Sequence, residues 1–469
     1  MKQLLISLFV LSLSTNIIAI DKPCNSELKP RLVVLTDIGP ADVEPDDNES
    51  AVRLLAYADC FEIEAICPTI GWNCDPYPQE WVEYLYKVVD AYEVDVKNLM
   101  KRSKQETFKP IAEESQQQTI GYWPSADYIR SRIAMGSPKA GIGVIGEGND
   151  TDGSNLLIKL ALEDDQRPIW VASWGGANTL SQAIWRYKQT ATQDELKKFL
   201  QKFRLYTITD QDMVWAKRMD RAYSSHQWLR SEFADDLLII WDESAWLNQN
   251  ELGSANWNMY EKHIQSQGAM GKVYPKFKYG VEGDTPSMLH ILPNGLNNPD
   301  DPTQVGWGGY HTFNISPDNK TYAWTNWQQP QKDISDAYEK QFYPDEFNDF
   351  AARMKWANNG SGNHNPIVVV NDCGGVAPIV IDVETLGKVT LNASKSYDVD
   401  NDSLSFFWWQ QPEAGSYNKP VEIVDNKSTM ATITMPTDAK GKSVHIICEV
   451  RDNGDFNLVS YRRIIINIK

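Results

Sequence analysis

Basic charge is in short supply relative to acid in this chain. Its 469 residues carry 45 Lys and Arg against 63 Asp and Glu, a formal net charge of −18. A nucleic-acid partner needs a basic face to neutralise phosphates, so that class is excluded, while neutral sugars and hard cations fit the balance. Histidine is also scarce, with six residues. None lies near Cys60, Cys67 and Cys74, which argues against reading their even spacing as a zinc site. Beyond residue 20 no run of apolar residues is long enough to cross a bilayer, so no membrane-spanning role is expected. What the chain has in plenty is aromatic residues, 17 Trp and 20 Tyr. Such rings stack on sugars, although most will serve cores and surface loops.

The length suffices for two or three domains. Met1-Lys2 followed by the apolar stretch Leu4 to Ile20, with Ala19 near a cleavage point, reads as a signal peptide over residues 1–20. An exported protein, periplasmic or extracellular, is therefore expected. An oxidising compartment permits disulfides among Cys24, Cys60, Cys67, Cys74, Cys373 and Cys448. One pair within the 60–74 group is plausible. Cys373 and Cys448 could bridge, or remain two buried thiols. Spacing alone does not decide the connectivity.

From residue 29 to 357, short β-like runs alternate with amphipathic stretches. The runs are Leu32–Leu35, Ile63–Ile66, Ile142–Ile145, Ile169–Ala172, Phe203–Thr207 and Leu237–Ile240. The stretches include Glu49–Ala58, Glu80–Ala91, Asn155–Glu163, Thr179–Tyr187 and Asp194–Gln201. This alternation predicts an α/β domain, a mostly parallel sheet with helices on both faces. A polar, Gly-rich linker follows at 358–366. Residues 367–469 then change to short alternating runs separated by turns such as Asp398-Val399-Asp400-Asn401-Asp402. That texture predicts an Ig-like β-sandwich. The Asp turn itself could bind calcium, but polar turns between strands commonly look like this.

In parallel sheets, chemistry gathers at the carboxyl ends of the strands. The first run ends in Thr36-Asp37, and Asp46-Asp47 follow just before a helix. Acids at a helix N-terminus suit its dipole. Asp37, Asp42, Glu44, Asp46 and Asp47 together exceed what a cap needs, and carboxylates that close call for a cation or shared protons. Asp37 and Asp47 are candidate calcium ligands, with Asp46 facing a substrate. Trp174-Gly175-Gly176-Ala177-Asn178 is a strand-to-helix turn that lets backbone approach a ligand, and Asp210-Gln211-Asp212 should reach the same rim. Glu282-Gly283-Asp284 adds two acids, and the loop Gly306-Trp307-Gly308-Gly309-Tyr310-His311 could clamp a sugar ring.

The strand–Asp–turn–Asp-Asp–helix opening resembles the nucleoside hydrolases. The run Trp174 to Leu180 is similar to that family's later turn, and Gly283-Asp284-Thr285-Pro286 to its late His-Asp-Pro step. The whole chain looks most like exported bacterial nucleoside-hydrolase-like proteins described as cellulose-binding, which join such a domain to an Ig-like one. The resemblance implies calcium held by Asp37, Asp47, Asp284 and the carbonyl of Trp174, with Asp46 on sugar hydroxyls. It also implies that Asp37 accepts a proton from the water that attacks an anomeric carbon. Asn178, Asp210, Asp212 and Trp307 are the further candidate substrate contacts. Three departures stand out. Leu35 replaces the family's first Asp. The Asp37–Asp46 gap is lengthened, which opens a ligand role for Asp42 or Glu44. Gly283 stands where nucleoside hydrolases often place a His that protonates the leaving group. Glu282 is the nearest replacement acid, with His226, His290 and His311 behind it. The expected function is calcium-dependent hydrolysis of an N- or O-glycosidic bond in a carbohydrate-related substrate. The alternative is a non-catalytic protein that binds a cellulose-type polysaccharide.

Overall fold

A computed structural model describes residues 27–213 and 223–469. The expected signal segment, 1–20, and Cys24 lie outside the described residues. The first domain is built on a seven-stranded sheet. Its strands are β1 (Arg31–Thr36), β2 (Glu62–Pro68), β3 (Ile169–Ser173), β4 (Phe203–Ile208), β5 (Leu238–Asp242), β6 (Thr312–Ile315) and β7 (Tyr322–Thr325). The order is β2-β1-β3-β4-β5-β7-β6, and every pairing is parallel except β6 with β7.

The all-apolar reading of β1 follows from burial on both faces. Leu32 and Val34 enter the core formed with helices Pro45–Ala56, Val82–Ser103 and Gln331–Asn359. Val33 and Leu35 enter a second core on the opposite face, under helices Asp152–Ala161, Asn178–Lys188, Gln193–Leu200 and Ser225–Phe233. All four are fully buried, and each such aliphatic side chain contributes about 1.5–3 kcal/mol. The expected α/β architecture is therefore the one observed.

One expected strand is absent. Ile142–Val144 forms a single 3₁₀ turn. Gly141, Gly146 and Gly148 adopt positive φ around it, which breaks any ladder. The hairpin β6–β7 was not legible, because its apolar residues Phe313, Ile315, Tyr322 and Trp324 share the outer face.

The second domain is a β-sandwich. Its strands are β8 (Ile379–Val383), β9 (Lys388–Asn392), β10 (Ser405–Gln410), β11 (Ile423–Val424), β12 (Met430–Thr434), β13 (Ser443–Arg451) and β14 (Val459–Ile468). They form sheets β10-β13-β14-β8 and β11-β12-β9, antiparallel except where β8 joins β14. Cys448 is a buried free thiol in this core, so no bridge to Cys373 forms. Cys60, Cys67 and Cys74 are likewise free thiols, against the expectation of a pair among them.

The domains share packing. Ile447, Val459 and Tyr461 of the sandwich join the core that surrounds the helix Gln331–Asn359. Arg451 grips Asp345 of that helix through two bonds, 2.6 and 2.7 Å. The stretch 358–366 is bonded on both sides: Asn365 Nδ2 donates to Asp349, and Asn363 Nδ2 to Asp452. Asp400, in the Asp turn, accepts from Arg102 and from the His364 backbone. The described residues contain no helix long and apolar enough to cross a membrane.

Candidate functional site

Strands β1, β3 and β4 are neighbours and parallel, so their carboxyl ends meet on one rim. β1 delivers Asp37 there. The helix Pro45–Ala56 starts with Glu44 as its N-cap and Pro45 in its first turn, and it brings Asp46 and Asp47 to the same point. Asp284 arrives from the loop ahead of the turn Pro286–Leu289. Oxygen atoms of Asp37, Glu44 and Asp47 lie within 4.8 Å of one another, and so do those of Asp46, Asp47 and Asp284. Asp47 belongs to both groups. Asp37, Glu44, Asp47 and Asp284 are buried, and Asp46 is half-buried.

Glycines make this convergence possible. A Cβ on Gly71 would collide with the Asp37 carboxylate, and one on Gly175 with the Ile70 carbonyl. Thr36 Oγ1 donates to Asp47 Oδ1 and accepts from the Ile38 backbone, which fixes the strand end against the helix. Behind Asp284, Ser287 Oγ donates to its carbonyl and accepts from Trp174 Nε1 at 2.8 Å. That bond ties the expected Trp174 turn to the Asp284 loop.

The electrostatics are those of a cluster waiting for positive charge. Burial raises Asp37, and Glu44 and Asp46 raise it further. Burial pushes Glu44 up to about 9, with Asp46 and Asp47 adding to the effect. Asp47 and Asp284 are raised by burial and then by their acidic neighbours, and Asp46 by burial. Asp284 Oδ2 and Glu44 Oε1 are buried without a hydrogen-bond partner. Buried polar atoms are nearly always satisfied, so these two oxygens are free to meet a ligand. An all-oxygen donor set suits a hard cation such as Ca²⁺. The residues present fit calcium: Asp37, Glu44 and Asp47 form one candidate group of carboxylates, and Asp46, Asp47 and Asp284 another.

Several expected roles change. The lengthened loop contributes Glu44 and leaves Asp42 exposed. Glu282 is not an available acid. It is fully buried, and its carboxylate accepts from Arg53 at 2.5 Å, Tyr274 at 2.9 Å and Gln249 at 3.2 Å. Its own N–H donates to Glu49 Oε2 at 2.7 Å. Glu282 is thus the anchor of a buried network that sets the backbone two residues before Asp284. Glu49, part of that network, was not singled out from the sequence, although its helical spacing from Asp46 places it on the same turn. A side chain at 283 would need its neighbours to give way. A Cβ there would press on Asn250 and Asp46 Oδ2, each 3.1 Å away.

Trp307 does not face a sugar. It is 1% exposed and packs edge-on against Tyr461 of the sandwich, with ring centres 6.2 Å apart. Asn178 begins its helix as expected, but Ala177 is the N-cap, and the Asn178 amide donates to the Gly141 carbonyl at 3.0 Å. Asp212 reaches the rim beside Gly176, but both it and Asp210 are buried: Asp210 accepts from Ser224 Oγ and Asp212 from the Ser225 N–H. His226 accepts from the Ala177 N–H at 3.0 Å. His290 meets the Pro299 carbonyl, and His311 lies 3.5 Å from Asp242. All three histidines are buried and turned inward.

Comparison with known proteins matches the same two parts. Residues 31–311 match the family model described as "Cellulose-binding Sde182, nucleoside hydrolase-like domain". Residues 388–468 match "Cellulose-binding protein Sde0182, C-terminal domain". No functionally curated protein matches the chain. A solved structure described as a nucleoside hydrolase-related hypothetical protein from Saccharophagus degradans, associated with carbohydrate metabolism, is 33% identical. It covers 94% of this chain and 100% of its own, at TM-score 0.79. A PKD domain from the KIAA 1837 protein is 21% identical over 23% of this chain and 90% of its own, but its TM-score of 0.16 carries no argument. With the α/β domain and the sandwich each matched in order along one chain, this protein belongs to the Sde182 family of cellulose-binding, nucleoside-hydrolase-like proteins.

Proposed function

We propose that this is an exported, calcium-dependent hydrolase of a glycosidic bond in a carbohydrate-related substrate. The observation that carries the reading is the convergence of five carboxylates on one strand end, with orphaned oxygens on Asp284 and Glu44. Bound calcium would pair with sugar hydroxyls and acidify a water. Asp37 would accept that water's proton. Asp46, the half-buried member, would accept hydrogen bonds from sugar hydroxyls, and the Trp174 carbonyl would complete the ligand set. Release of reducing sugar from a panel of glycosides and nucleosides, with and without chelator, tests this. Absence of chelator-sensitive turnover on every substrate would refute it.

One observation favours a second reading, a carbohydrate-binding protein that has lost the reaction. Glu282 is committed to Arg53, Tyr274 and Gln249, and His226, His290 and His311 are fully buried, so none is poised to protonate a leaving group. Retention on insoluble cellulose without turnover would select this reading.

A further inference from the structure

At the amino ends of β4 and β5, opposite the acid cluster, the surface holds a cavity of about 490 Å³. The apolar Leu237, Leu238 and Ile239 line it. One wall is aromatic. Phe313 and Trp324 are paired across the β6–β7 hairpin, and Tyr322 lies diagonal to Phe313 on the same face. Phe313 and Tyr322 are 54% and 53% exposed, with stacked rings 5.9 Å apart. Phe313 also meets Trp324 edge-on at 5.6 Å. The facing wall is polar: Gln201, Asp235 and Asp236, with Arg204 bonded to Asp300 at 2.9 Å.

The hairpin's other face is used by the fold, since Ala323 and Thr325 are buried. Folding therefore does not require two large rings in water on the outer face, and exposed aromatic clusters of this kind mark binding surfaces. The composition identifies the occupant. Ring faces suit the C–H faces of a sugar, while carboxylates, an amide and a guanidinium suit its hydroxyls. Asp235, Asp236 and Asp300 outnumber Arg204 and Lys197, which pairs with Asp236 at 3.3 Å, so the lining is net acidic and favours a neutral ligand over phosphates and acidic polymers. The volume falls within the range of small-molecule sites. β6 is an edge strand, so a polymer can run past the cavity.

We propose that this groove is a glucan-binding site that holds a neutral polysaccharide chain on the face opposite the acid cluster. It rests on the carbohydrate reading above but uses none of the same residues. The test is binding of the full chain to insoluble cellulose and to soluble cello-oligosaccharides. Phe313→Ala with Tyr322→Ala should weaken binding about tenfold, the loss of two stacking faces, and leave the calcium-induced rise in Tm unchanged. Phe313→Trp with Tyr322→Trp should bind as the wild type does. Asp47→Asn should lose the calcium response and keep cellulose binding. Wild-type affinity in the double Ala variant would overturn the groove and leave the carbohydrate reading standing. A wild-type chain that binds no glucan would overturn both. A change in oligomeric state with unchanged glucan binding would make this face a contact between copies and also overturn the proposal.

Discussion

Replacing Glu44 with glutamine should stabilise the metal-free protein, the opposite of what most buried substitutions do. Glu44 titrates near 9 instead of 4.5 because it is buried among Asp37, Asp46 and Asp47. A group whose folded value is raised gives stability that is complete below its unfolded value and is lost as pH rises toward the folded one. The metal-free protein should therefore weaken by about 1.4 kcal/mol per pH unit for this group across that window. Between pH 5 and 8 this amounts to about 4 kcal/mol as an upper bound. Exposed Asn73, which bonds Glu44, lets water soften the cost. Glutamine keeps the size and cannot ionise. In chelator at pH 8, Glu44→Gln should gain about 2–4 kcal/mol over wild type, a Tm rise of roughly 2–4 °C. Wild type should recover about 2.7 kcal/mol at calcium one hundredfold above Kd, and the variant clearly less. Thermal melts from pH 5 to 9, with and without calcium, read both effects. An unchanged pH slope in Glu44→Gln would refute the reasoning.

Three further outcomes follow from the same geometry. Asp284→Asn should abolish the calcium-induced rise in Tm, because its orphaned Oδ2 is a proposed ligand; a retained rise in melts would remove it from the site. Glu282→Gln should cost about 3–5 kcal/mol in urea unfolding, because it leaves Arg53 buried without its counter-ion; if turnover is found, the acidic limb of its pH–rate profile should not move. Trp307→Ala should cost about 3–5 kcal/mol and loosen the sandwich against the first domain, read by proteolysis, with unchanged affinity for sugars.

Much of the architecture was legible because β1 to β5 are short apolar runs between amphipathic helices, and that pattern has few other solutions. The hairpin β6–β7 was hidden because its outer face carries Phe313, Tyr322 and Trp324 where a solvated strand should be polar. At the site, Asp37, Asp46 and Asp47 were readable from strand-end position and adjacency. Asp284 was readable only through resemblance, since nothing local says that a loop 237 residues beyond Asp47 folds back onto it. Glu282 and Trp307 were misplaced for one reason. A sequence shows that a residue is chemically able, not whether Arg53 or Tyr461 already occupies it.

The most direct test of the central claim is calorimetric titration of chelator-stripped protein with calcium in buffers of different ionisation heat. The account predicts one ion per chain, release of protons on binding, tighter binding at pH 8 than at pH 5, and loss of the signal in Asp47→Asn, the residue common to both carboxylate groups. Calcium binding that survives Asp47→Asn, or no binding by the wild type, would contradict it.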